Sequence, residues 1–290
     1  MKKMLSAVVV LTFALCAFSA YAGHGGAKPI KKGILLVAFG TSEESAKVSF
    51  INMEKKVAQA FPGVPIEWAY TSHIIRHKLA KQGEIILSPA EALAKMMDEG
   101  FTHVAVQSLH TIPGEEYEAL VQTVQGFKGM PDGFENLIVG FPMLGAQDTV
   151  KRAVGGILAT LPKERKANEA VVLMGHGTPH PANIYYSGLN WQLQLRDPNI
   201  IVGTVEGYPT LDDIAVFLEK RKIKKVWLIP FMSVAGDHAK NDMAGDEDDS
   251  WKSQLTKKGF QCQAVLKGTA EYDVFAGIWA GQLKTAFGQL

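Results

Sequence analysis

The stretches GILLVAFG at Gly33–Gly40 and AVVLMGHGT at Ala170–Thr178 decide the fold. Each is a continuous apolar run that ends on glycine and polar residues, the pattern of a strand buried on both faces of a parallel sheet. Aligned on each other, they place Phe39 opposite His176 at an offset of 137 residues. A second pair, HVAVQSLHTIPGEEY (103–117) and KVWLIPFMSVAGDHA (225–239), places Glu116 opposite His238 at an offset of 122. The offset shrinks by 15 because the first half carries extra residues around Thr71–Leu87. Similarity in matching order predicts one α/β unit used twice.

Outward from these runs the pattern alternates. A helix is expected from Ser42 to about Phe61, then strand Pro65–Thr71. A capping box at Ser88–Glu91, with proline at the first helical position, opens a helix that Gly100 stops. Strand Val104–Leu109, helix Glu115–Phe127, strand Leu137–Gly140 and a helix near Asp148–Leu161 complete the first half. After the charged link Pro162–Asn168 come strand Ala170–Gly175, helix Ala182–Leu195, strand Ile200–Val205, helix Leu211–Lys222 and strand Val226–Phe231. A loop, a helix near Ser250–Lys258, strand Gln261–Lys267 and a closing helix Tyr272–Phe287 follow. Strands alternating with helices call for open parallel sheets. The expectation is an α/β fold of two Rossmann-like lobes, residues 33–162 and 163–290, with the closing helix packing across them.

The N-terminus reads differently. Lys2 and Lys3, the apolar run Met4–Phe18 and Ala20-Tyr21-Ala22 before Gly23 have the order of a secretory signal, in a run too short for a comfortable membrane span. Residues 1–22 are expected to be removed and 23–32 to form a flexible leader, in a periplasmic protein. Without Lys2 and Lys3 the 30 basic residues become 28 against 29 acids, so the net charge moves from +1 to −1. That balance offers no electrostatic footprint for nucleic acid or an anionic membrane. Removing Cys16 leaves Cys262 alone, which excludes an intrachain disulfide and a cysteine-based metal cluster. No G-x-S-x-G, G-x-G-x-x-G or P-loop is present, so serine hydrolases, dinucleotide enzymes and P-loop NTPases lose sequence support.

Ligands of such folds bind beyond the carboxyl ends of strands. Three polar residues stand there in the second half: His176 between Gly175 and Gly177, Glu206 before Gly207, and His238 in GDHAKNDM. Two imidazoles and a carboxylate form a borderline-soft set suited to Co, Ni, Zn or Fe. Taken singly, each has a plainer reading: a histidine bonded within its turn, a helix-cap carboxylate, a polar loop residue. His110 follows strand three and faces the cleft by the same argument. His73 and His77 share a helical face, which more often lines a surface than binds metal. Asp246–Asp249 lacks the alternation and glycine of a calcium loop and reads as a solvated turn.

GHGTPHPAN around His176, IIVGTVEG before and at Glu206, and AGDHAKNDMAGD around His238 resemble the class II chelatases, the sirohydrochlorin cobaltochelatase branch above all. AFGTS (38–42) and QSLHTIPGEEY (107–117) match the same pattern, and the resemblance runs from about Lys31 to the C-terminus. It implies ATP-independent insertion of Co²⁺ into a tetrapyrrole in a cleft between two lobes. It implies that His176 and His238 hold the metal substrate with Glu206 beside them, as ligand or proton acceptor. Phe39, Gly40, Thr41, Ser42, His110, Gly177 and Thr178 are then expected to meet the macrocycle. N–H groups at the helix starts after Thr41 and Thr178 are expected to receive its carboxylates. Likeness to the family also implies a homo-oligomer. Export departs from the family's usual cytoplasmic place. It opens Fe²⁺ as a second metal substrate, haem-like macrocycles as a second cargo, and a rival class, a periplasmic metal or haem carrier without turnover.

Overall fold

Residues 29–290 are described by a computed structural model. The expected signal, 1–22, and the leader as far as residue 28 lie outside them. The first lobe runs β1 (Lys32–Ala38), α1 (Val48–Ala60), β2 (Ile66–Tyr70), α2 (His73–Lys81), α3 (Pro89–Asp98), β3 (His103–Ser108), α4 (Glu115–Phe127), β4 (Asn136–Gly140) and α5 (Gln147–Ala159). The second runs β5 (Ala170–Gly175), α6 (Ile184–Gln194), β6 (Ile200–Thr204), α7 (Leu211–Lys220), β7 (Lys225–Pro230), α8 (Trp251–Lys257), β8 (Gln261–Ala264) and α9 (Asp273–Phe287). Each lobe has one four-stranded parallel sheet, ordered β2-β1-β3-β4 and β6-β5-β7-β8. The same strand order in both halves is the duplicated unit.

Alternation along the strands sorts the core. Ile34 and Leu36 of β1 and Val171 and Leu173 of β5 point into one hydrophobic mass shared by both sheets. Leu35 and Val37 point the other way, onto α3 and α4, and Val172 and Met174 onto α7 and α8. Both faces are covered, which is why Ile34–Ala38 of β1 and Ala170–Met174 of β5 carry no polar side chain. The helix starts are chemically marked. Ser88 Oγ accepts from Glu91 N at 3.2 Å while Glu91 Oε2 accepts from Ser88 N at 2.7 Å. Thr210 and Asp213 repeat the device at α7.

Three local expectations need correction. The helix expected from Ser42 begins later: a 3₁₀ turn at Glu44–Ala46 precedes α1, because Glu43 N is drawn back to Thr41 Oγ1 at 3.1 Å. The helix expected from Ala182 likewise opens with a 3₁₀ turn, Pro181–Asn183, capped by His180 Nδ1 accepting from Ala182 N. The loop expected after β7 holds a π-helical turn at Ala239–Met243.

The last helix ties the halves together. α9 leaves the second sheet and packs on β3, β4, α1 and α5 of the first. Trp279 is fully buried there, and its indole N–H donates to the His110 carbonyl at 3.2 Å. Trp279→Ala should cost about 3–5 kcal/mol of stability, the range for emptying a large aromatic site. In a chain of this size that lowers the melting temperature by roughly 10 °C, which thermal denaturation will read. Trp279→Phe should fall far short of that, since the His110 carbonyl keeps the Met143 N–H at 3.0 Å.

Candidate metal centre

His176 follows β5 directly, and glycines on both sides shape its turn. A Cβ at Gly175 would sit 2.4 Å from the ring of Tyr186, so that ring packs flat under the strand end. Tyr186 is buried, which pushes its phenol up to about 12 against the opposing pull of the Gly177 and His176 main chain. Gly177 has φ +83°, and a Cβ there would lie 2.7 Å from Thr204 Cβ and 2.8 Å from Gly207 N. Close approach and a left-handed backbone together leave room only for glycine.

Glu206 is brought alongside by the main chain: its N–H donates to the His176 carbonyl at 2.8 Å. Its carboxylate is half-exposed, with Oε2 3.7 Å from His176 Nδ1. His238 comes from the other side, on the π-helical turn after β7, with its ring edge-on to His176 at 4.7 Å between centroids. One donor atom from each of His176, Glu206 and His238 lies within 4.8 Å of the others. Tetrahedral ligation at about 2.1 Å would separate ligand atoms by roughly 3.4 Å, so closing the set on a metal needs a contraction of at most about 1.4 Å.

The tautomers follow from the partners. His176 Nδ1 lies 3.0 Å from the Gly177 carbonyl, which can only accept, so Nδ1 carries the proton and Nε2 the free lone pair. His238 Nδ1 is hydrogen-bonded to the Asp242 carboxylate, four residues on, with the same consequence. In each ring Nε2 is thus the nitrogen left to meet a metal. A carboxylate behind a ligating histidine fixes the ring and raises its basicity. Asp242 is the residue that reading the sequence missed, and the i,i+4 spacing to His238 was the signal that could have found it.

The first lobe contributes no ligand to this set. Phe39, in the position matching His176, stacks its ring 5.8 Å from the His176 ring. Gly40, at φ +108°, would drive a Cβ to within 2.5 Å of Tyr70. Thr41 is buried, and Ser42 follows it into the turn. His110 stands apart from the convergent set: Nδ1 is 2.8 Å from Ser108 Oγ and Nε2 3.5 Å from Thr71 Oγ1. Burial holds it down to about 4, so it is neutral at physiological pH. His73 and His77 sit on α2 with ring centroids 6.0 Å apart and are likewise outside the set. The anion cradle expected after Thr178 is corrected: Thr178 N donates to Asn183 Oδ1 at 3.2 Å and His180 N to Thr178 Oγ1 at 3.1 Å. Those donors are spent inside the turn.

The geometry agrees with what the chain is similar to. Residues 32–288 match the family model described as cobalt chelatase (CbiK). The chain is 45% identical over 260 residues to the sirohydrochlorin cobaltochelatase CbiKC of Nitratidesulfovibrio vulgaris, covering 90% of this chain and 92% of that protein. It is 34% identical to the sirohydrochlorin cobaltochelatase of Salmonella typhimurium, covering 89% of this chain and 97% of that one. Among solved structures, the sirohydrochlorin chelatase SirB of Bacillus subtilis subspecies spizizenii in complex with cobalt superposes with TM-score 0.56 at 14% identity, covering 90% and 97% of the two chains. At that identity the likeness speaks for the fold alone. With the family model matched over nearly every described residue and two relatives aligned over 90% and 89% of the chain, this chain belongs to the cobalt chelatase (CbiK) family.

Proposed function

We propose that the protein is a sirohydrochlorin cobaltochelatase that inserts Co²⁺ without ATP. The observation that carries this reading is the convergence of two imidazoles and a solvent-reaching carboxylate at adjoining strand ends, in a chain of this family. Insertion strips water from the metal, bends the macrocycle and removes two pyrrole N–H protons. Neutral imidazoles of His176 and His238 hold a borderline-soft cation firmly enough to place it, yet surrender it to four ring nitrogens. Glu206 takes a proton directly, or through His176 once its Nε2 has released the metal and can accept one while Nδ1 passes its own proton on. The Phe39 ring, beside His176, gives the macrocycle an apolar surface on the first-lobe side.

The test is turnover: purified protein, sirohydrochlorin and Co²⁺, followed by the visible spectrum. Many equivalents of metallated product are expected. A single stoichiometric change would instead mean a carrier. Fe²⁺ in parallel ranks the two metal substrates. Asp242→Asn should weaken Co²⁺ binding by about 10–100-fold, the usual loss when the partner behind a ligating histidine goes, and calorimetric titration with Co²⁺ alone will read it. For location, the sequence supports export with cleavage after Ala22. Mass spectrometry of the protein from its native host should find Gly23 at the N-terminus, and a retained Met1–Ala22 would refute it.

A further inference from the structure

The π-helical turn that carries His238 is tied to the opposite lobe. Lys240 Nζ lies 2.6 Å from Glu43 Oε2, across 197 residues of sequence, with the two side chains 33% and 26% exposed. The main chain also runs close to that lobe: a Cβ at Gly236, just before the turn, would lie 3.1 Å from the side-chain Oγ1 of Thr41. Within the turn, Asn241 Nδ2 donates to Asp237 Oδ1 at 2.8 Å and Asp242 holds the His238 ring. The turn is therefore closed on itself, and Lys240 is its charged link to the first lobe.

The other end of that link matters as much. Glu43 belongs to the loop after β1 whose Phe39 ring packs 5.8 Å from His176. One first-lobe segment thus meets the His176 ring through Phe39 and the turn next to His238 through Glu43. We propose that Glu43 and Lys240 form a cross-lobe strap that sets the distance between His176 and His238, which makes Glu43 a positioning residue for metal transfer in the lobe that offers no ligand. This rests on the metal site proposed above.

A partly exposed ion pair contributes little to stability. Its weight here is geometric: donor atoms spread over 4.8 Å must draw together around one cation, and a misplacement of about 1 Å can cost on the order of 100-fold in rate. A second cross-lobe pair, Glu118 Oε1 with His180 Nε2 at 3.4 Å, does not touch the turn of His238 and serves as the control.

The experiment compares Glu43→Gln, Lys240→Met, the charge swap Glu43→Lys with Lys240→Glu, and Glu118→Gln. Cobalt insertion into sirohydrochlorin is measured together with Co²⁺ affinity in the absence of macrocycle. The two strap singles should lose about tenfold or more in kcat and in Co²⁺ affinity, with unfolding temperatures within a few degrees of wild type. The swap should recover most of both losses, and Glu118→Gln should stay within twofold. Singles at wild-type rate and affinity, or a swap no better than the worse single, would overturn the strap. Failure of the wild-type protein to turn over would overturn the chelatase reading, and the affinity series would still decide the strap.

Discussion

His238→Ala and His176→Ala should each abolish cobalt insertion, by about a thousandfold or more, and leave the fold nearly intact. An outer partner of a ligating histidine is worth roughly 10–100-fold in affinity, and the ligand itself must be worth more. Each ring offers a single usable lone pair, because Nδ1 is committed to Gly177 O in His176 and to Asp242 in His238. Removing either leaves the metal with one imidazole and a half-exposed carboxylate, a pair too weak to compete with water. Stability should change little, since both side chains are about a third exposed and neither belongs to a hydrophobic core. The measurement is insertion rate alongside thermal denaturation for each variant. An active His176→Ala, with metal held instead at His73 and His77, would mean the site is assigned wrongly.

The strand ends were legible because the burial pattern is so simple. β1 and β5 are apolar on both faces, so the first polar residue after each marks where the sheet stops. That alone places His176, and the matching offsets place Phe39 and carry the argument to His238. Gly177 was legible as a tight turn, though not why: the constraint is Thr204 and Gly207 pressing from the next strand end. Five residues of π-helix have no periodic signature, so Ala239–Met243 read as a loop, and Asp242 lost its meaning with it. The 3₁₀ starts after Thr41 and Thr178 were hidden for a related reason. Side chains folding back shape both starts, Thr41 onto Glu43 N and His180 onto Ala182 N, which no count of helix formers reports. The Glu43–Lys240 pair joins residues 197 apart on unrelated motifs, and only the folded lobes bring them together.

The carboxylate separates metal holding from proton removal, and Glu206→Gln should show it. Glutamine keeps the shape and an oxygen able to ligate but loses charge and basicity. Positioned general bases contribute about 10²–10⁴-fold, so kcat should fall by roughly 100-fold or more. Co²⁺ affinity should stay within about tenfold, because both imidazoles remain. The partner geometry keeps the acceptor near the ring: Glu206 Oε2 is 3.7 Å from His176 Nδ1, and the Glu206 N–H donates to the His176 carbonyl, so the main chain holds the carboxylate beside the imidazole. The side chain is 55% exposed, which lets a small acid from solution reach its place. Glu206→Ala should therefore regain part of its lost rate with added formate, while Glu206→Gln, whose amide still fills the space, should not. A wild-type kcat in Glu206→Gln would remove the residue from the proton path. Parallel losses of affinity and rate in both variants, without rescue, would make it a ligand only.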